Sequence, residues 1–481
     1  MIRHEYLVIG AGPGGLCSGI KLKESGREDF VILEKAAGVG GTWYHNRYPG
    51  AACDVPSHLY SFSFDCRLDW PRPFSPQAEI LTYLEQCAEK HGLLPHIRLE
   101  TEVAKAEWID SESAWRVTTE SGEIYEARIL LSALGMFNEL NYPDIPGLDA
   151  FEGTRFHSAR WREDHDVTGE RVAVIGSAAS AVQFVPEIAK RADQVDLYQR
   201  TANWVLPKAD TPFSQEQIDI FRNQPELVYE MRREIYKEIE PVLTFDNDEL
   251  LAASDQAGRD AISEVEDPET RRKLTPDHPY GCKRPLLSNN FYSTFNRPNV
   301  ELVTDSIERI DPKGVVTADG KLREVDTLIL ATGFDTTRYL SAIDVTGREG
   351  ARLEEAWSEG AYAFLGTMVP HFPNLFMMYG PNTNNGSILE MIEHQVAFAI
   401  RQIERIETEG LAWLEATPAA TEAYNDAIQK DIDGVDVWQA NCLGYYKSPS
   451  GRIVTQWPHN MGEYERRMNA VDASAFESAA R

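Results

Sequence analysis

A glycine-rich loop near the amino terminus constrains the fold more than any other feature of the sequence. Residues 5–9 form an apolar run that predicts a buried strand, and residues 16–23 have the pattern of a helix. Between them lie Gly10, Gly12 and Gly15, spaced G-x-G-x-x-G. Gly10 permits a tight turn, Gly12 lets the backbone approach a pyrophosphate, and Gly15 lets helix and strand pack closely. The pattern predicts a dinucleotide-binding βαβ unit rather than a glycine-rich turn without a ligand.

The residue that ends the next strand narrows the choice of dinucleotide. Residues 30–33 form a second buried run that ends in Glu34, 22 positions after Gly12. A carboxylate there accepts hydrogen bonds from ribose hydroxyls and repels a 2′-phosphate. The first unit is therefore predicted to bind FAD or NAD, and not NADP.

A second unit of the same kind begins at residue 171. An apolar run at residues 172–175 is followed by Gly176 and Ser177, a helical pattern, and a strand at residues 194–198. Ala178 and Ala181 stand where the fingerprint has its second and third glycines, so a close approach is restricted but not blocked.

The second unit carries a basic residue where the first carries an acid. Its last strand runs into Arg200 and Thr201, and a cation with a hydroxyl suits the 2′-phosphate of NADP(H). A structural βαβ unit with a solvated arginine is the alternative. One acidic and one basic unit together predict FAD plus NADPH, with hydride transfer between them.

These units define an α/β fold with two Rossmann-like dinucleotide-binding domains. We expect residues 1–145 to form the first part of the FAD domain and residues 336–481 its carboxyl-terminal part. Residues 146–335 are predicted to form the NADPH domain, with a charged helical insertion at about 211–275.

Composition excludes several partners. The 47 Lys plus Arg and 76 Asp plus Glu give a net charge of −29, which disfavours nucleic acid and anionic membrane surfaces. No apolar run approaches a membrane span, and the strand-like start leaves no room for a signal peptide. The six cysteines form no C-x-x-C pair and no cluster with zinc spacing. We therefore expect reduced thiols, no metal and a cytoplasmic protein.

Further motifs cover residues 4 to about 460. They are Gly40-Gly41-Thr42-Trp43-Tyr44, Cys53-Asp54, Ser57-His58-Leu59-Tyr60-Ser61-Phe62, Phe151-x-Gly153-x-x-x-His157-x-x-x-Trp161, Cys282-Lys283-Arg284, Ala331-Thr332-Gly333-Phe334-Asp335 and Gly380-Pro381-Asn382-Thr383. Together they resemble the Baeyer–Villiger monooxygenases, class B flavoproteins related to the flavin-containing monooxygenases. Trp161 favours the Baeyer–Villiger branch, whereas Arg162 departs from the family's Pro or Asp.

The resemblance implies an enzyme that uses NADPH and O₂ to convert ketones to esters or lactones through a C4a-peroxyflavin. It implies that Arg284 stabilises the peroxide anion, that Asp54 pairs with this arginine, and that His157 lies in the link between domains. The alternative is oxidation of sulfides or amines through a protonated hydroperoxyflavin. The ketone and the oligomeric state stay open.

The predicted cofactor contacts extend beyond the glycine loops. Lys283 is expected to join the 2′-phosphate site, with a solvated lysine as the alternative. The contacts predicted on the flavin side are Gly41, Thr42, Trp43, Asp54, Tyr60, Val103 and Asn382, although such residues also occur as core packing.

Two other classes remain as alternatives. A pyridine-nucleotide disulfide oxidoreductase needs a redox cysteine pair beside the flavin, and Cys53 and Cys66 are too far apart for the usual motif. A flavin-binding sensor or NADPH oxidase without oxygen transfer is supported only by the missing glycines of the second loop.

Overall fold

A computed structural model describes residues 1–440, 442, 444 and 446–481. The strands, in chain order, are β1 (Ile2–Ile9), β2 (Phe30–Leu33), β3 (Ile97–Arg98), β4 (Val103–Ile109), β5 (Ala114–Thr119), β6 (Ile124–Ser132), β7 (Thr154–His157), β8 (Arg171–Ile175), β9 (Gln194–Tyr198), β10 (Val205–Leu206), β11 (Leu286–Leu287), β12 (Val300–Val303), β13 (Ile307–Asp311), β14 (Gly314–Thr317), β15 (Leu322–Glu324), β16 (Thr327–Leu330), β17 (Asp344–Thr346), β18 (Leu375–Met377), β19 (Leu411–Ala416) and β20 (Phe476–Ala480).

The helices are interspersed with these strands. They are α1 (Pro13–Glu24), α2 (Thr42–His45), α3 (Gln77–Lys90), α4 (Ala179–Ile188), α5 (Gln215–Asn223), α6 (Pro225–Ile239), α7 (Asp248–Ile262), α8 (Pro268–Leu274), α9 (Phe291–Thr294), α10 (Leu353–Ala356), α11 (Ile388–Thr408), α12 (Pro418–Asp433), α13 (Asp436–Gln439) and α14 (Met461–Asn469). Within the described residues, no helix is long and apolar enough to cross a membrane.

The first sheet has the order β17-β4-β5-β6-β1-β2-β3, and β18 pairs with the end of β6. β1 lies between β2 and β6 and is parallel to both, with Tyr6 opposite Phe30 and Ile129. All four residues of β2 are buried, as expected of a parallel strand covered on both faces. The first glycine loop therefore leaves the carboxyl end of a central strand.

The second sheet has the order β12-β9-β8-β16-β7, and every pair in it is parallel. Its central strand β8 leads into the second glycine loop and α4. Helices α5 to α8 form the insertion predicted at about 211–275, and α5 begins with a complete capping box between Ser214 and Gln217.

The sequence patterns at 114–124 and 374–379 each predict a single strand over the whole stretch, and the structure differs at both. The run 114–124 is a hairpin: β5 ends at Thr119, and Gly122 has φ +85° in the turn before β6 begins. The late strand predicted at 374–379 shrinks to β18, because Asn374 and Tyr379 on either side have positive φ values of 56° and 59°.

Candidate active site

The first glycine of each dinucleotide loop lies against the residue at which the chain leaves the same sheet. A Cβ on Gly10 (φ +97°) would lie 2.6 Å from the carbonyl oxygen of Ala133, which follows β6. A Cβ on Gly176 (φ +106°) would lie 2.3 Å from the carbonyl oxygen of Ala331, which follows β16. Glycine is required at both positions by the left-handed conformation and by the close contact.

The other two glycines of the first loop serve different purposes. A Cβ on Gly15 would lie 1.8 Å from the carbonyl oxygen of Gly10, so this glycine sets the spacing between α1 and β1. Gly12 has no such clash: its nearest neighbour would be the Cα of Gly41 at 3.4 Å. Gly12 is the N-cap of α1, and no side chain caps that helix end. The unused N–H groups of the first turn are suited to a pyrophosphate.

Glu34 lies at the far side of the same loop. Its carboxylate accepts hydrogen bonds from the backbone N–H groups of Ala11 at 2.7 Å and Ala36 at 2.8 Å. Burial raises the pKa of this carboxyl, and the two backbone N–H groups oppose that rise. Each oxygen keeps a lone pair for a ribose hydroxyl. The residues present thus fit the adenosine end of a flavin dinucleotide.

The second loop opens beside a pair of cations. Lys283 donates to the hydroxyl of Thr201, with Nζ and Oγ1 2.7 Å apart, and both residues line the cavity together with Arg200. Burial lowers the pKa of Lys283, and Arg200 adds to the decrease. An exposed arginine and a half-buried lysine beside each other are suited to a dianionic 2′-phosphate. In this loop Gly176 and Ser177 line the same cavity.

The flavin-side residues surround the start of the short helix α2. Gly41 precedes it, and Thr42, Trp43 and Tyr60 line the cavity. The indole N–H of Trp43 donates to the hydroxyl of Tyr60 at 3.0 Å, and the two rings meet edge to face. Burial raises the pKa of Tyr60, so this hydroxyl stays protonated. Val103, at the start of β4, also lines the cavity.

An arginine and an aspartate from distant parts of the chain meet in this cavity. Nε and Nη2 of Arg284 lie 3.0 and 2.7 Å from the same oxygen of Asp54, and 230 residues separate the two. The short parallel pair β10–β11 sets the position of the arginine, which lies two residues before Leu286. Side-chain exposure is 34% for Arg284 and 38% for Asp54, so the pair is open to a ligand.

One continuous cavity of about 1620 Å³ contains all of these groups. Drug-sized ligands occupy sites of roughly 300–1,000 Å³, so this space accommodates more than one such molecule. Both glycine loops, the Arg284–Asp54 pair and the Lys283–Thr201 pair face it.

Two linkers cross side by side between the sheets, at residues 133–153 and 331–343. The backbone N–H of Asn141 donates to the carbonyl of Gly333 at 3.0 Å, and its side chain donates to the carbonyl of Thr332 at 3.2 Å. Both linkers supply cavity walls. Sequence reasoning missed this contribution, because residues after a strand end carry no periodic signal.

His157 is the last residue of β7 and lies against these linkers. Its ring contacts Tyr142 at 5.6 Å and Phe334 at 6.2 Å between centroids. Its Nδ1 accepts from the backbone N–H of Ala159 at 3.1 Å, and burial lowers its pKa to about 4. His157 is therefore neutral at physiological pH and does not line the cavity. Its predicted role in the link between domains stays a prediction.

Asn382 also lies behind the cavity wall. The residue is 2% exposed, and its side-chain amide donates to the carbonyls of Ile453 and Gln456, both at 3.0 Å. These two hydrogen bonds connect the loop after β18 to the segment 453–456. A direct cofactor contact by this residue stays a prediction.

The cysteines differ from the expectation of reduced thiols. Cys282 and Cys442 form a disulfide, and the other four cysteines are free and buried. The sequence could not show this pairing, because 160 residues separate the partners. His278 lies within 4.8 Å of the two sulfurs, but sulfurs bonded to each other offer no thiolate to a metal. Neither cysteine lines the cavity.

Comparisons with known proteins agree with this geometry. The family described as pyridine nucleotide-disulphide oxidoreductase matches residues 7–239, which contain both glycine loops. A Baeyer–Villiger monooxygenase of Pseudomonas aeruginosa is 40% identical over 98% of this chain and 91% of its own. Cyclohexanone monooxygenase from Rhodococcus sp. Phi1 bound to NADP⁺ superposes with a TM-score of 0.90 at 32% identity, covering all of both chains. OTEMO in complex with FAD and NADP superposes with a TM-score of 0.89 at 29% identity, covering 99% of each chain.

The two sheets, their glycine loops and the shared cavity define a protein that binds two dinucleotides, and the relatives identify it as a flavoprotein monooxygenase with FAD and NADPH as cofactors. The full-length relatives narrow this class, and the chain belongs to the Baeyer–Villiger monooxygenase family. The predicted fold class, enzyme class and cofactors are confirmed. The disulfide oxidoreductase alternative fails, because the relatives that match the whole chain are monooxygenases and the disulfide lies outside the cavity lining.

Proposed function

We propose that this enzyme oxidises ketones to esters or lactones, with Arg284 and Asp54 as the residues that act at the reacting oxygen. The balanced reaction is ketone + O₂ + NADPH + H⁺ → ester + NADP⁺ + H₂O. When bound, the flavin accepts hydride from NADPH and activates O₂ for insertion of one oxygen atom.

Arg284 supports the step in which negative charge develops on oxygen. A guanidinium is always charged and holds its donors in one plane, so it stabilises an oxyanion better than water can. Asp54 fixes the orientation of that plane through its two hydrogen bonds with Nε and Nη2. The single observation that carries the proposal is this pair, within a cavity that both dinucleotide loops share.

Three residues account for the choice of NADPH. Arg200, Thr201 and Lys283 combine two cations with one hydroxyl at the end of β9. NADH lacks the 2′-phosphate and would leave both cations without an anion. We therefore expect this site to favour NADPH.

Product analysis with a ketone and a sulfide tests the reaction. The wild-type holoenzyme, supplied with NADPH and O₂, is expected to form ester or lactone from the ketone. Arg284→Ala is expected to keep FAD and to oxidise NADPH, but to release peroxide instead of ester. Arg297→Ala, at an exposed position, is the matched control. Sulfoxide without any ester from the wild type would contradict the proposal, as would full ester yield from Arg284→Ala.

A further inference from the structure

Lys208, a largely buried lysine, also lines the cavity, and the roles described so far do not use it. Lys208 lies two residues after β10, the strand that pairs with the arginine-bearing β11. Its backbone N–H donates to the side chain of Asn289 at 2.8 Å, and its carbonyl accepts from the same side chain at 2.9 Å. The main chain of this lysine is therefore held firmly at the cavity wall.

The ammonium group of Lys208 lies over the ring of Phe74, with Nζ 5.3 Å from the ring centroid, but in the part of the chain that the structure describes it has no close anionic partner. Its side chain is 13% exposed, and the nearest carboxylate oxygen, on Asp210, is 3.8 Å from Nζ, too far for a hydrogen bond. Among the residues that the structure describes, none accepts a hydrogen bond from this ammonium. Burial lowers the pKa of Lys208, and the negative charges of Asp210 and Asp54 oppose the decrease.

The carboxylate beside Lys208 is already engaged. Asp210 accepts from the guanidinium of Arg72 at 3.2 Å and from the backbone N–H of Phe74 at 3.1 Å. Two cations thus share one carboxylate, which leaves this group with a charge of about +1. The Arg72 side chain is 38% exposed and is screened by water, whereas the Lys208 side chain is 13% exposed, so an anion at Lys208 would replace hydration that this ammonium has lost. A single negative charge on a ligand would complete the group.

The geometry of the two paired strands places this cation away from the reacting end. The strands are parallel, Lys208 follows the end of β10 by two residues and Arg284 precedes the start of β11 by two, so the two residues flank opposite ends of the paired strands. A substrate that reaches both side chains has its anionic group several bonds from its carbonyl.

We propose that Lys208 binds the carboxylate of an oxo-acid substrate whose ketone carbonyl lies at Arg284. This inference rests on the proposed function and names its substrate class. A carboxylate matches the charge of the Lys208–Asp210–Arg72 group, whereas a phosphate monoester would bring about one charge too many.

A matched pair of substrates tests the proposal: a long-chain oxo acid and its methyl ester, which carry the same ketone. We expect the wild-type holoenzyme to prefer the acid by at least tenfold in kcat/KM, mainly through KM. In Lys208→Met that preference should fall by roughly tenfold to a hundredfold, as for the loss of a charge-assisted hydrogen bond. Lys208→Arg should restore part of it, and Lys190→Met, at an exposed position, should leave it unchanged.

Binding of the same two compounds gives a readout that does not depend on turnover. The change in flavin absorbance on titration with each compound yields its Kd. In the wild type the acid should bind more tightly than the ester, and in Lys208→Met the two Kd values should be similar. Equal preference for acid and ester in the wild type, or an unaltered preference in Lys208→Met, would overturn the role of Lys208. Neutral ketones would then still be oxidised. Failure to oxygenate any ketone would overturn the proposed function and this inference with it.

Discussion

Removal of the Asp54 carboxylate is the perturbation that most directly tests how the reacting site is held. One oxygen of this carboxylate, Oδ2, accepts hydrogen bonds from both Nε and Nη2 of Arg284, at 3.0 and 2.7 Å. A hydrogen bond between charged groups contributes roughly 1.5–3 kcal/mol. Because about a third of each side chain is exposed, screening leaves about 2 kcal/mol for the whole pair. That free energy corresponds to roughly a 30-fold change in rate.

We therefore expect Asp54→Ala to form ester about 30-fold more slowly while NADPH oxidation continues, so that the ratio of ester to NADPH consumed falls. Asp54→Asn keeps one neutral acceptor, and its loss should be closer to fivefold, about 1 kcal/mol. The assay is ester yield by gas chromatography against NADPH oxidised and peroxide released, with Asp193→Asn as an exposed control. Wild-type coupling in Asp54→Ala with full FAD content would refute the idea that this carboxylate orients the guanidinium.

Other predictions concern the cofactor loops, the disulfide and a buried acid. Lys283→Ala should raise the KM for NADPH by a factor at least ten times larger than the factor by which it raises the KM for NADH. Equal factors for the two nucleotides would exclude a 2′-phosphate contact. The methyl group added in Gly12→Ala would lie no closer than 3.4 Å to any atom of the protein, so this variant should fold with an unchanged apoprotein Tm. It should be purified with little FAD, because the methyl group keeps the pyrophosphate from the backbone. Thiol titration of the denatured, unreduced protein should find four cysteines rather than six, because Cys282 and Cys442 are paired. Burial raises the pKa of Glu393 from its ordinary value of 4.5 to about 7, so the stability cost of ionising it grows between these two pH values and is complete above the upper one. Glu393→Gln should therefore raise the Tm at pH 8, and the gain should shrink as the pH falls toward 5.

Much of the fold could be predicted because buried parallel strands have a clear sequence pattern. The run 30–33 coincides with β2, since it is apolar throughout and lies between Asp29 and Glu34. The run 194–198 coincides with β9 although it contains Asp196, because it follows a glycine loop and a helical pattern. Short strands that depend on distant partners gave no such pattern. β17 has three residues and pairs with β4, more than 200 positions earlier. The predicted domain boundaries stay a prediction.

The candidate site was predictable where chemistry is confined to a local motif. Gly10, Gly12 and Glu34 follow from spacing alone, because loop, helix and strand are neighbours in the sequence. Lys208 could not be found in this way: a single lysine after Pro207 resembles any surface cation. Its importance arises only from burial and from a carboxylate that is shared with Arg72.

The two linkers start at Ala133 and Ala331, and each of these residues touches the first glycine of a dinucleotide loop. If one sheet turns relative to the other, the axis of that rotation passes close to both loops. Displacement in a rigid rotation grows with distance from the axis. The backbone around Gly10 and Gly176 would then move least, and the parts of the cavity wall farthest from the linkers would move most. The two glycine loops would keep their shape while the width of the cavity between the sheets changes.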